Sequence, residues 1–470
     1  MQKTYLMKRI VFLGLMLMLS SIIVGQNTPT NQITPDMLKA FRTEFRAIQS
    51  HAALQNAVTS NPISKLSVNR SNQGTLDKYF TYRVKNSGIT DQKSSGRCWM
   101  FASMNVLRAQ VIKKYKMKDF YFSHNYTFFY DQLEKANLYL QEMINNASKP
   151  MDDRTVEWLF KNPIGDGGVW SGFVNITQKY GIVPQSVMPE TAQTENTGKM
   201  SQILALKLRE DGLKLRELAA SGSKPYDLVS TKTKMLSEIY QILALCMGEP
   251  PSTFSWRYEN SDGNISELKT YSPLSFYNEF VGVDLNDYVM LMDDPSRDYN
   301  KVYNIQFDRN TYEGSDWKYL NLPVEKIKEY ALNSIRGDEA LYFSCDVGQQ
   351  LDKDKGILDI NNFAYDKLFG TSFGMNKKQR IITFESSSSH GMTLVAADVD
   401  SKGKTQKWLL ENSWGESGFN GHLIMTDQWF DEYMFRTVVH KKYIDAKTLE
   451  LLNQKPIMLP PWDPMFSPEE

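Results

Sequence analysis

The stretch DQKSSGRCWMF, Asp91 to Phe101, sets Arg97 directly before Cys98, Trp99 directly after it, and Gln92 six positions upstream. Downstream, apolar residues recur at Phe101, Met104, Leu107, Val111 and Tyr115, the spacing of one helical face. The pattern predicts a helix opening at Cys98, with Ser94 or Ser95 as its cap. A thiol in the first turn of a helix lies where unpaired backbone amides and the helix dipole favour the thiolate. Cys98 therefore reads either as a small buried residue or as a nucleophile.

Working outward, the chain of 470 residues is 41% hydrophobic and 12% aromatic, enough to bury a sizeable core in more than one lobe. Its 54 basic and 54 acidic residues cancel, so no global field recruits nucleic acid or an anionic membrane. The first 25 residues read as a separate object. Lys3, Lys8 and Arg9 precede an apolar run from Ile10 to Val24 that closes on Ser20, Ser21 and Gly25. That is the pattern of a cleaved signal peptide, although Ile23 fits the small-residue cleavage rule poorly. The run is shorter than the roughly 20 residues that span a bilayer. No Cys follows it to be lipidated. Cleavage leaves 51 basic against 54 acidic residues, a net charge of −3, and predicts export to the periplasm or beyond, with no membrane attachment afterwards.

Only Cys98, Cys246 and Cys345 occur, so this is not a disulfide scaffold. Cys246 closes a helical pattern (MLSEIYQILALCM) and Cys345 a strand-like one (ALYFSC), and both read as buried thiols. Five histidines (51, 124, 390, 422, 440) form no HExxH and no close pair, so no catalytic metal or other cofactor is expected. The GDGG at 165–168 lacks the residues of a phosphate loop. There is no 20 to 50 residue repeat, and the one low-complexity tract is the serine run at 386–389.

The middle of the chain, about 200 to 247, is charged and helical. The C-terminal part changes to short apolar or alternating runs (HGMTLVAADVD, QKWLLEN, GHLIMTD), as in an antiparallel sheet. His390 and Asn412 are equidistant from Ser401, at the edge of the turn SKGK, so a simple hairpin brings them together. The amide oxygen can then accept an imidazole N–H and fix the ring for proton transfer at its other nitrogen. The bland alternative is a strand histidine and an Asn that ends a strand.

Together, Gln92-x5-Cys98-Trp99, a distant His390 and Asn412-Ser413-Trp414-Gly415 resemble, in chain order, the papain-like cysteine peptidases. Within these, QKSSGRCWMFA, GDGGVW, the CDVG from Cys345, ENSWG, MTDQWF and LPPWDPM resemble the bleomycin hydrolase and aminopeptidase C family, from about residue 60 onward. Where many papain relatives carry a disulfide Cys three residues before the nucleophile, this chain has Ser95, as that family does. Cys98 and His390 are 292 residues apart, far beyond the roughly 130 to 150 of papain, which fits a helical insertion.

The resemblance implies an α+β, papain-like two-lobe fold. It consists of a helical lobe over about 60–200, a helical insertion over about 200–280, an antiparallel barrel-like β lobe over about 280–450 and an extended C-terminal arm over 455–470. It implies Cys98 as nucleophile, His390 as its acid–base partner, Asn412 holding the ring and Gln92 donating to the oxyanion. Trp414 is expected to screen the His–Asn hydrogen bond, and Gly167 and Gly168 to let their backbone run beside a peptide substrate. A homohexamer with inward-facing sites is also implied. The tail KPIMLPPWDPMFSPEE carries five prolines, which forbid a helix and favour an extended form suited to a groove. In the resembled family the arm blocks one side of the cleft, making the enzyme an aminopeptidase. Here the end FSPEE departs from that family's small, neutral residues: either it is trimmed, or Glu469 and Glu470 supply the anion that meets the substrate's free ammonium. An endopeptidase with an open cleft and a non-catalytic peptide-binding scaffold remain the alternatives.

Overall fold

The structure is a computed structural model that describes residues 31–466 apart from 73, 75, 86 and 87. The expected signal peptide, Glu469 and Glu470 lie outside the described residues. Two compact units separate at Val68. In the first, helices α1 (Pro35–Ala47) and α2 (His51–Ser60) are mostly exposed. Thr34 caps α1 by accepting the Met37 N–H at 3.2 Å.

The second unit begins with helices. The 98–115 periodicity folds as α3 (Cys98–Tyr115), followed by α4 (His124–Asn145), α5 (Arg154–Lys161) and α6 (Trp170–Tyr180). The charged middle stretch forms α7 (Gly198–Ala220) and α8 (Pro225–Met247), both packed on α4. Proline opens α8, where its missing N–H costs nothing. Met235, Ile239, Leu243 and Met247 then bury one row at four-residue spacing. Cys246 sits at the end of this helix, and none of the three cysteines is in a disulfide.

Fourteen strands are seen among the described residues. They are β1 (Tyr82–Arg83), β2 (Phe254–Trp256), β3 (Lys269–Tyr271), β4 (Tyr288–Met292), β5 (Lys301–Ile305), β6 (Lys318–Asn321) and β7 (Leu341–Cys345), then β8 (Leu351–Asp352), β9 (Ile357–Leu358), β10 (His390–Val399), β11 (Thr405–Glu411), β12 (His422–Thr426), β13 (Met434–His440) and β14 (Ile457–Leu459). β2 and β3 pair with each other; the other twelve form one sheet, in the order β14-β5-β6-β4-β13-β7-β10-β11-β12-β9-β8 with β1 on β10. The three C-terminal runs form the antiparallel β10–β11–β12. The sheet as a whole is mixed, because β4–β6, β5–β14 and β9–β12 pair in parallel. Helix α9 (Val324–Arg336) packs on it.

Among the described residues there are two hydrophobic cores, one mainly among the helices and one mainly between the sheet and α9. Helix α3 is buried on nearly every side because it lies between α6 and the strands β7 and β10. Arg108 of α3 forms a buried ion pair with Glu411 of β11, tying the helix to the hairpin. The nucleophile candidate therefore starts the helix shared by both halves of the fold.

Candidate active site

Cys98 is the first residue of α3, and no side chain caps that helix start. The expected cap by Ser94 or Ser95 is not formed: the Ser95 hydroxyl turns away to donate to the Gln92 carbonyl at 2.6 Å. The first-turn amides are thus not claimed by a capping side chain, as suits a thiolate. The turn is held from below by Arg97, fully buried, whose guanidinium meets Glu190 at 2.9 Å and the Thr194 carbonyl at 2.7 Å.

The N–H of Gly391 donates to the Cys98 sulfur at 3.3 Å, so the start of β10 lies against the thiol. His390 precedes it, and its Nε2 is 2.7 Å from Asn412 Oδ1. The hairpin thus joins the two residues as expected. The ladder pairs Thr393 with Glu411, so Asn412 is a diagonal rather than a direct neighbour of His390. The Ser413 N–H also donates to Asn412 Oδ1, at 2.8 Å, which identifies that atom as the oxygen. Nε2 must then carry the proton, and Nδ1 is the basic nitrogen of the neutral ring. Burial pushes His390 down to about 4, opposed by the Asn412 hydrogen bond. The ring is neutral near pH 7 unless an anion is beside it, so an imidazolium here depends on the Cys98 thiolate as its counter-charge. Trp414 lies over the imidazole, ring centres 4.8 Å apart.

Gln92 is fixed at both ends of its side chain. Its Oε1 accepts from Ser413 Oγ at 2.6 Å and its Nε2 donates to the Ser95 carbonyl at 2.5 Å. A carboxamide nitrogen has two protons, so one remains for a further acceptor. Ser413 therefore touches both Asn412 and Gln92. In the sequence Ser413 is only a neighbour of Asn412, and its position between Asn412 and Trp414 is the one signal that marks it.

Gly167 and Gly168 line a cavity of about 300 Å³ together with Trp99, Trp158, Phe307 and Phe466. Gly168 has a packing reason for lacking a side chain: a Cβ would come within 2.7 Å of the Trp99 indole. That indole donates to the Asp166 carbonyl at 3.0 Å, and Lys135 donates to the Gly167 carbonyl at 2.6 Å. The C-terminal segment reaches the same cavity. β14 adds to β5, the Asp463 carboxylate pairs with Arg297, Arg436 donates to the Met465 carbonyl, and Phe466 stands edge-on to Trp158 at 5.3 Å. Met465 is fully buried. No cluster of His, Cys, Asp or Glu suited to a metal occurs among the described residues.

A thiol at a helix start, beside a histidine oriented by an asparagine on an adjoining sheet, defines a papain-like cysteine peptidase. More narrowly, the chain belongs to the Peptidase C1-like family, which matches residues 32–466. It is 37% identical to an aminopeptidase C of Listeria monocytogenes over 93% of this chain and 99% of that one. It is 38% identical to the bleomycin hydrolase of Rattus norvegicus, covering 87% and 93%. The crystal structure of PepW from Lactobacillus rhamnosis HN001 superposes with a TM-score of 0.91 at 36% identity, over 93% of this chain and 99% of that one.

Proposed function

We propose that this chain is a cysteine aminopeptidase in which Cys98 forms an acyl-enzyme. The carrying observation is the Ser413 N–H on Asn412 Oδ1, which makes His390 Nδ1 the base. Nδ1 takes the thiol proton as Sγ attacks the scissile carbonyl carbon. The oxyanion is met by the remaining Gln92 amide proton and the Cys98 backbone N–H. Nδ1–H protonates the leaving amine as the C–N bond breaks. Nδ1 then deprotonates water, which cleaves the thioester and restores the thiol. Asn412 keeps the ring in line and Trp414 screens its hydrogen bond.

The relatives named aminopeptidase C support exopeptidase action, as does the C-terminal segment beside Trp99, Gly167 and Gly168. By resemblance that segment fills the side of the cleft a longer peptide needs, leaving the N-terminal residue of a peptide as the group that fits. Peptides are the substrates, and neither nucleic acid nor a membrane is required. Export after loss of residues 1–25 and assembly as a homohexamer complete the reading, supported by the leader pattern and by resemblance. Aminoacyl-amide hydrolysis that vanishes in Cys98→Ala, with N-acetylated analogues turned over slowly by the unaltered enzyme, is the expected result. Equal cleavage of free and blocked substrates refutes the exopeptidase reading. N-terminal sequencing of exported protein and sedimentation check the other two: an uncut leader or a stable monomer overturns them.

A further inference from the structure

Nine non-glycine residues among those described have positive φ, and two of them are aromatic: Phe307 at 66° and Phe384 at 61°. They line the two cavities that meet at Trp158 and Phe466. Phe307 has a packing reason for its place, since it is 9% exposed and stacked on Trp158 at 5.9 Å. Phe384 has none: its side chain is 73% exposed.

The backbone around Phe384 explains the φ. The helix Lys377–Ile382 ends in a Schellman turn, in which the Phe384 N–H reaches the Ile381 carbonyl at 3.1 Å and the Glu385 N–H reaches Arg380 at 2.9 Å. That turn places Phe384 at the left-handed position where glycine or asparagine is favoured. At comparable helix ends this chain has Gly282 and Gly370 and the polar Lys116 and Asp338, and among the described residues no other aromatic one. Phe384 thus combines a backbone conformation that favours glycine with a largely exposed aromatic ring. Strained residues of this kind gather at ligand sites.

Its surroundings say which ligand. The second cavity, about 290 Å³, is bounded by Trp158, Phe384, Ser387, Trp462 and Phe466 among others. The loop after Phe384 is pinned by Ser386 to Asp346 at 2.6 Å and by Ser388 to Ser344 at 2.8 Å, and it runs directly into His390. The serine run is thereby accounted for: alternate hydroxyls fasten the loop that carries Phe384 to the histidine. On its far side the cavity shares Trp158 and Phe466 with the one containing Trp99 and Gly168.

We propose that Phe384 is a specificity-determining contact, closing with Trp158, Trp462 and Phe466 a subsite for a large apolar or aromatic side chain on the N-terminal residue of a peptide. This rests on the aminopeptidase reading above. Four aromatic side chains lining a volume of that size match such a side chain and leave a small one largely uncontacted.

The test compares the unaltered enzyme with Phe384→Asn and Phe384→Trp on leucyl-, phenylalanyl- and alanyl-amides. Asn suits the left-handed backbone, so its melting temperature is expected to rise by about 1–3 °C. Its kcat/KM is expected to fall about tenfold for leucyl and phenylalanyl substrates and less than twofold for alanyl. Trp, which keeps an aromatic face, is expected to retain the preference. An unchanged substrate profile in Phe384→Asn overturns the proposal, as does an equal loss on all three substrates. A fall in melting temperature overturns it too, since Phe384 would then be packing the fold. Failure of the unaltered enzyme to cleave any of the three instead sinks the aminopeptidase reading, so the two failures are distinguishable.

Discussion

Ser413 Oγ and Gln92 Oε1 are 2.6 Å apart, and through that bond the residue after Asn412 sets the orientation of an amide more than three hundred residues earlier in the chain. Ser413→Ala leaves Gln92 held only by its bond to the Ser95 carbonyl. A decrease in kcat of about tenfold with little change in KM is expected, smaller than the ~10²–10³-fold loss for Gln92→Ala. Steady-state kinetics on an aminoacyl amide check it, and a change confined to KM would count against a role in the transition state.

Arg297 and Asp463 anchor the C-terminal segment, with the carboxylate almost fully buried and its second oxygen accepting the Met465 N–H at 2.9 Å. Removing one partner of such a pair costs about 3–5 kcal/mol. Arg297→Met is therefore expected to loosen the segment and raise cleavage of N-acetylated peptides relative to free ones, as deleting residues 465–470 should. If the deletion changes that ratio and Arg297→Met does not, the ion pair is not the anchor.

Stability should fall on acidification. The buried ring of His390, held down to about 4, stays proton-free in the fold, whereas an unfolded histidine titrates near 6.5. Between those values the unfolded chain binds more protons. The contribution is complete above about 6.5 and is lost as pH drops through 4, a change of about 3 kcal/mol. His124, stacked on Phe101 and driven well below its usual range first by burial and then by Arg97 and Arg108, acts in the same direction. Urea midpoints between pH 7 and 4.5 should decline less steeply in His390→Gln. Parallel slopes would refute the assignment to His390.

Gly168→Ala drives a methyl into the Trp99 indole. Overpacking of this kind destabilises by about 1–3 kcal/mol. A lower melting temperature with reduced activity is expected, and an unchanged melting temperature would mean the ring can shift.

Much of the site was legible because its parts are local signals. The helix from Cys98 follows from apolar spacing, and the meeting of His390 with Asn412 follows from a turn midway between them. What stayed hidden depends on contacts between distant segments. Nothing local says that Ser95 prefers the Gln92 carbonyl to the helix end, or that Asp463 finds Arg297. The mixed pairing of the sheet was missed for the same reason: β14 joins β5 in parallel across about 150 residues, and alternation within a strand carries no information about its partner's direction. Gly168 reads in the sequence as room for a substrate, and the Trp99 indole that a Cβ there would strike adds a packing reason that only the fold reveals.

Cys98 has no accessible surface in the resting molecule, although its chemistry invites the expectation of an open thiolate. A sulfur at the surface meets oxidants and alkylating reagents at the rate of collision; one that is covered meets them at the rate its cover opens. The working lifetime of this enzyme in oxidising surroundings is therefore governed by breathing of the cleft. Small reagents should outpace bulky ones by more than their intrinsic reactivities, and a slow substrate that holds Cys98 as the acyl-enzyme should shield the sulfur from both.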